Sequence, residues 1–240
     1  MGIEYLKRDD GVAHVLINRP ERLNALDQAA KKDLAAIWKK AADDPEVRAI
    51  VISGAGDRAF SSGSDLKEMN ETGGMASTDV LLAAIPNVGV EIDKPVLAAC
   101  HGYTIGTGLT LAMHCDIRLA AAGTKFGFPD TPKGMIAGVS AITLPHLVGH
   151  GTAMEIMLSG RIFSAEEALA MRLIHGIVET DVLDETLKRA AALASHPTVA
   201  MQATKRLMML EMRHQLSKYY DEVVRARESV ERAKFRQKST

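Results

Sequence analysis

The chain has 240 residues, 47% of them hydrophobic, with 29 basic against 30 acidic side chains. That is the composition of a globular protein long enough to bury a sizeable core. A formal charge of −1 and an aromatic content of 4% argue against nucleic acid as a partner, which calls for a basic surface and stacking rings.

Taken in chain order, "VAHVLINRP" (12–20) alternates and then turns at Pro20, as a strand does. Asp27 is placed to cap the helix that follows, and Leu34, Ile37, Trp38 and Ala41 recur at helical spacing on one face. "RAIVISGAG" (48–56), "PVLAACHG" (95–102) and "CDIRLAA" (115–121) are short apolar runs, the mark of strands buried on both sides. Helical stretches between them predict α/β layering with right-handed crossovers. Residues 70–90, with "TGG" and Pro86, read as a mobile lid segment. Ser164 and Glu167 form a capping box ahead of "ALAMRL". From Asp184 to about Lys234 nearly every residue favours helix, with Pro197 as the one break. The division expected is a core over 1–180 and a helical region over 181–240, whose many alanines and methionines suit packing on a neighbouring subunit.

Cys100 and Cys115 lie in apolar runs without metal-ligand spacing, so they read as buried thiols and no metal site is expected. No apolar run reaches the roughly 18–20 residues of a membrane span. The opening "MGIEYLKRDDG" lacks a signal-peptide core, and Leu6 stands where a myristoylation motif needs Ser or Thr. A cytoplasmic address without a membrane partner is expected, with an organelle matrix as the alternative.

Two small-residue corners carry the chemistry. "AFSSGSDLKEM" (59–69) and "GYTIGTGLTLA" (102–112) both read as strand, glycine-rich turn and helix start, leaving backbone N–H groups uncovered. Aimed at one oxygen, two such amides make an oxyanion hole, each donor worth roughly 3–4 kcal/mol of barrier. Either corner alone also suits a plain βα turn. A dinucleotide fingerprint fails because Leu111 stands where the third glycine belongs, and "SSGSD" lacks the serine-nucleophile elbow.

The blocks "NRPERLNAL", "AFSSGSDLKEM", "KPVLAACHGYTIGTGLTLAMHCDIRLAAAGTKFGFPD", "LSGRIFSAEEALAMRLIHGIV" and "ATKRLM" together resemble the enoyl-CoA hydratase/isomerase, or crotonase, superfamily over about residues 3–210. The resemblance implies a ββα-spiral core with a C-terminal helical trimerisation region, and a homotrimer or dimer of trimers. It also implies acyl-CoA thioesters as substrates, coenzyme A entering only as part of them and no separate cofactor. A thioester enolate would be held by the backbone N–H groups of Ser64 and Thr107. Asp65, Leu66 and Lys67 would follow on the substrate side, main-chain groups near Arg22 and Leu23 would contact the adenine and pantetheine, and Arg22 could also pair with phosphate.

Two acid/base positions depart from the hydratase pattern. Thr110 stands where such relatives place one glutamate, and "FGFPD" supplies Asp130 where they place the other. Aspartate is shorter by one C–C bond, about 1.5 Å, which matters when proton transfer needs heavy atoms roughly 2.6–3.2 Å apart. With Asp130 as the sole shuttle, double-bond isomerisation is favoured over hydration. Dehydration, thioester hydrolysis and decarboxylation stay open, as do a non-catalytic CoA-binding paralogue and a serine hydrolase using Ser61, Ser62 or Ser64. His101 is a possible proton donor with a structural role as its plainer reading, while His114, His146, His150 and Tyr103 read as packing or surface. The family's closing turn near the nucleotide is missing, leaving Lys234, Phe235 and Arg236 as uncertain stand-ins.

Overall fold

The computed structural model describes residues 2–236, without the side chains of Phe235 and Arg236. Those two stand-ins for the nucleotide-binding terminus therefore lie outside the described side chains.

A six-stranded sheet carries, in spatial order, β1 (Ile3–Lys7), β2 (Val12–Ile17), β3 (Ala49–Gly54), β5 (Val96–Cys100), β7 (Ile117–Ala121) and β10 (Gly176–Val178). Only β1 runs antiparallel to its neighbour; the others are parallel. A second sheet holds β4 (Ala59–Ser61), β6 (Tyr103–Ile105), β8 (Lys125–Gly127) and β9 (Ile162–Ser164). The chain visits the sheets in turn. Each step from β3 to β4, from β5 to β6 and from β7 to β8 crosses from the large sheet to the small one; helices return the chain to the large sheet after β4 and β6, and after β8 the chain first passes through β9 of the small sheet. The result is the ββα spiral expected from the sequence.

The core follows the period of two within each strand. Ile50 and Ile52 of β3 face a cluster with Trp38, Phe60, Leu109 and Phe126. Ala49 and Val51, the alternate residues, face Ala190 and Ala194 of α8 (Val182–Ala194). Trp38 belongs to α1 (Gln28–Asp43), which Asp27 caps through the Ala30 amide, and its indole donates to the Ala84 carbonyl at 2.7 Å. The capping box of Ser164 and Glu167 opens α7 (Ala165–Ala170). Cys100 and Cys115 are free and buried, and burial pushes the Cys100 thiol up to about 12. Among the described residues no helix is long and apolar enough to cross a membrane.

Residues 70–90 differ from expectation. They hold the end of α2 (Leu66–Thr72) and all of α3 (Thr78–Ala83), and they are fastened to α9 (Thr198–Arg236). Glu231 accepts from the Met75 amide at 2.7 Å, Arg227 donates to the Ala76 carbonyl at 2.8 Å, and Tyr220 bonds Asp79. Those anchors sit on a helix some 150 residues downstream, so local composition carries no trace of them. At its other end α9 is pinned by Lys205, whose ammonium meets Asp116 at 2.6 Å.

Close approach explains one glycine of the second corner. A methyl built on Gly108 of α4 (Thr107–Met113) would lie 2.3 Å from the Ser61 carbonyl oxygen on β4. Gly108→Ala must push α4 off the small sheet. It is expected to reduce unfolding free energy by about 1–3 kcal/mol, read as a lower urea midpoint with an unchanged slope.

Candidate active site

The first corner is held open by a clasp from the N-terminal segment. Leu26 pairs with Ser64 in a parallel bridge: the Leu26 amide donates to Gly63 at 2.8 Å, and the Asp65 amide donates to Leu26 at 3.0 Å. That register turns the Ser64 N–H away from Leu26, and it meets no acceptor among the described residues. Thr107 is the first residue of α4, so its N–H has no partner within the helix either. The two corners touch. A methyl on Gly63, whose φ is +97°, would stand 3.1 Å from the Thr107 nitrogen. The hydroxyls of Ser64 and Thr107 lie 2.9 Å apart and tie the corners together.

Asp130 completes the group. It follows β8 at the start of a short 3-10 turn, Thr131–Lys133, and its carboxylate would lie 3.8 Å from a methyl built on Gly106. Its Oδ2 is buried without a hydrogen-bond partner among the described residues. Burial raises the carboxyl above its usual range, with Lys133, Lys234 and Arg227 opposing. Thr110 is buried on the same cleft, and its hydroxyl sits 2.7 Å from that of Ser140 on α5 (Gly138–Val148).

One cleft is lined by Ser64, Thr107, Thr110, Asp130 and Leu66 together. The other expected substrate contacts are placed differently. Lys67 is exposed and faces Glu71 at 3.8 Å. Asp65 caps α2 through the Lys67 and Glu68 amides and meets Arg22 at 2.8 Å. Burial works against its charge, but Arg22 and those amides outweigh burial and hold the carboxyl below its usual range. Arg22 therefore serves Asp65. The amides of Arg22 and Leu23 donate to Arg19 and Pro20, and their carbonyls accept from Ala25 and Ser62. "NRPERLNAL" thus acts here as the brace of the first corner.

No histidine lines the cleft among the described residues. His114 is buried, faces the Thr110 carbonyl at 2.8 Å, and is pushed down to about 4 by burial. Ser61 donates to the Asn24 carbonyl at 2.8 Å, so no serine–histidine pair is assembled. Lys234 donates to the Lys133 carbonyl at 3.0 Å. Sequence reasoning missed Ser140 and two cations on the cleft, Lys31 and Arg227. Lys31 had a signal: it stands three residues before Leu34, on the apolar face of α1.

Comparison with known proteins agrees with this architecture. The family model described as enoyl-CoA hydratase/isomerase matches residues 7–240, and the chain belongs to that family. It is 35% identical over 208 residues to an (E)-benzylidenesuccinyl-CoA hydratase of Thauera aromatica, covering 85% of this chain and 81% of the relative. A short-chain-enoyl-CoA hydratase of Clostridium acetobutylicum is 33% identical over 204 residues, covering 83% and 78%. Among solved structures, an enoyl-CoA hydratase/isomerase from Xanthobacter autotrophicus superposes with a TM-score of 0.85 at 30% identity, over 96% of this chain and 87% of that one.

The raised Asp130 carboxyl has a stability consequence. The folded state binds this proton more tightly than the unfolded chain, so ionising it costs stability as pH climbs from the ordinary carboxylate range through the raised value. Asp130→Asn removes that loss. Its urea midpoint at pH 7 is expected to equal or exceed that of the parent, with the gap closing at acid pH.

Proposed function

We propose that the chain adds water reversibly to a 2-enoyl-CoA thioester, with Asp130 as the single proton carrier. The observation that carries the reading is the buried Asp130 Oδ2, without a hydrogen-bond partner among the described residues, beside two unbonded amides on one cleft. As a water oxygen bonds to Cβ, Asp130 takes one of its protons and the double-bond electrons pass to the thioester oxygen. The Ser64 and Thr107 amides hold that oxyanion, each worth about 3–4 kcal/mol of barrier. Asp130 then delivers its proton to Cα on the same face as the enolate collapses. Atoms and charge balance with one carboxyl, and coenzyme A enters as part of the substrate.

The sequence argument against hydration was the lack of a second group to orient water. Thr110 supports that role: its hydroxyl lines the cleft, donates to the Gly106 carbonyl at 3.2 Å and is held by Ser140 at 2.7 Å, which leaves a lone pair to accept from a water. The relatives named hydratases weigh the same way. Isomerisation is the second reading, favoured by one specific observation: Asp130 is the only carboxylate among the described lining residues. Here the carboxyl would carry a proton from Cγ of a 3-enoyl thioester to Cα.

Asp130→Asn is expected to lower turnover about 10²- to 10⁴-fold, followed by loss of 2-enoyl thioester absorbance. Parent turnover of 2-enoyl thioester to the 3-hydroxyacyl product decides for hydration, whereas product from the 3-enoyl thioester alone decides for isomerisation. Unchanged Asp130→Asn turnover on both substrates removes the carboxyl from the mechanism.

A homotrimer, or a dimer of trimers, is part of the same proposal. Val199, Leu207, Met208 and Leu210 of α9 expose large apolar side chains, a patch that self-association would cover. Light scattering on the eluting protein is expected to give three or six times the chain mass, and Met208→Glu to shift it downward.

A further inference from the structure

The cleft holds more positive charge than the chemistry above uses. Lys31 lies with Leu34, Trp38 and Ala41 on the buried face of α1 and lines the cleft. Its ammonium makes one hydrogen bond, 2.6 Å to the Leu26 carbonyl. No carboxylate stands within 4.0 Å of it among the described residues, because the nearby acids are engaged elsewhere. Glu68 accepts from the Gln28 amide at 3.0 Å, Asp27 meets Arg19 at 2.6 Å, and Asp65 meets Arg22 at 2.8 Å. Burial lowers the Lys31 ammonium to about 8, opposed by Glu68, Asp27 and Asp65 at longer range and aided by Arg227, so most of it is charged at pH 7.

Arg227 reaches the same cleft from α9 and is also buried. Its Nε donates to Thr78 at 3.0 Å and its Nη2 to Ala76 at 2.8 Å, leaving Nη1 unused among the described residues. It too has no carboxylate within ion-pair distance there. Lys133 is a third cation on the lining, against Asp130 as the lone acid. Glu68, Asp27 and Asp65 act on Lys31, and Glu231 and Asp130 on Arg227, only from beyond ion-pair distance, so two desolvated cations keep room for a directly bonded anion.

From this arrangement we infer that the preferred substrate is an acyl-CoA whose acyl group bears a second carboxylate, seated between Lys31 and Arg227. The inference rests on the acyl-CoA reading of the cleft and adds the substrate class. Charge-assisted hydrogen bonds from a lysine and an arginine orient the far end of the acyl group. The thioester oxygen can then lie on the Ser64 and Thr107 amides while Cα faces Asp130. A neutral acyl group of the same length leaves both cations unpaired, and that penalty is the source of discrimination.

Matched pairs of 2-enoyl-CoA thioesters, one ending in a carboxylate and the other in a methyl group, test this on the full-length protein. The acid is expected to show kcat/KM about 10- to 100-fold above its neutral partner. Lys31→Met and Arg227→Gln should each shrink that ratio by about tenfold or more. A parent ratio of one or below at every chain length overturns the proposal. So does a Lys31→Met enzyme slowed equally on both members of a pair, which would mark Lys31 as only a brace for the Leu26 carbonyl. Should both variants misfold, inhibition of the parent by saturated thioesters reads the same preference. An ω-carboxyacyl-CoA binding about tenfold tighter than its methyl-ended match supports it, and equal or weaker binding overturns it. Tighter binding of the diacid with no turnover of any thioester would sink the hydration reading while leaving the charge reading standing. Brisk turnover confined to neutral thioesters would do the reverse.

Discussion

Everything in the site depends on two backbone amides being left without partners inside the fold. A buried N–H with no acceptor is costly, so proteins rarely keep one without a use. Here the exposure is enforced from outside the corner itself. The parallel bridge between Leu26 and Ser64 consumes the polar groups on either side and rotates the Ser64 amide outward. Thr107 achieves the same by being the first residue of a helix. Around them the restraints are dense. The Asn24 side chain donates to the Ala59 carbonyl at 2.6 Å, and the Ser62 amide donates to the Leu23 carbonyl at 3.0 Å. A corner so tied cannot relax to bury its free donor, and an oxyanion hole acts through donors already in place before charge develops.

The second constraint is dielectric. Asp130, Lys31 and Arg227 all lose water to the cleft, and burial moves each toward its neutral form: the acid is raised and the two bases are lowered. For Asp130 this is useful, since a carboxyl that must both take and return a proton works best when neither form is strongly favoured. Nothing in proton transfer calls for the cations. They belong to a different layer of the problem, the choice of substrate. Charges inside a low-dielectric cleft discriminate more sharply than the same charges at the surface.

The sequence reading recovers what long periodic runs encode. The strands around Ile50, Ala98 and Leu119, the α1 face of Leu34 and Trp38, and the Ser164 capping box all lie where pattern and turn chemistry place them. The three-residue strands β6, β8 and β9 are too short to show a period of two, so the second sheet is legible only through family likeness. β1 escapes because "IEYLK" carries charge on both faces and is held by pairing with β2 rather than by burial. For the site, glycine-rich corners and a carboxylate after proline are local signals. Lys31 and Arg227 lie nearly 200 positions apart, and only folding brings α9 over the lid segment to set them on one cleft. A shorter gap, 43 positions, likewise hides the ion pair of the Arg22 side chain with Asp65.

The two halves of the mechanism tolerate change differently, and that difference explains the unusual residues at the corners. A backbone donor is indifferent to its own side chain, so serine and threonine at positions 64 and 107 leave both amides intact; their hydroxyls, 2.9 Å apart, add a link between the corners. A proton carrier enjoys no such freedom, because its reach is set by side-chain length. Aspartate at position 130 can serve only if the backbone carries it close, and the 3-10 turn after Pro129 does so. Its carboxylate lies in van der Waals reach of a methyl built on Gly106. Glycine at 106 is required by its backbone. Its φ of +54° admits the turn into α4, while a Cβ there would meet the Asp130 carboxylate only at ordinary contact distance, 3.8 Å. The shorter carboxylate arm is thus offset by where the turn after Pro129 sets its backbone, with the base brought to the cleft by the chain rather than by the side chain.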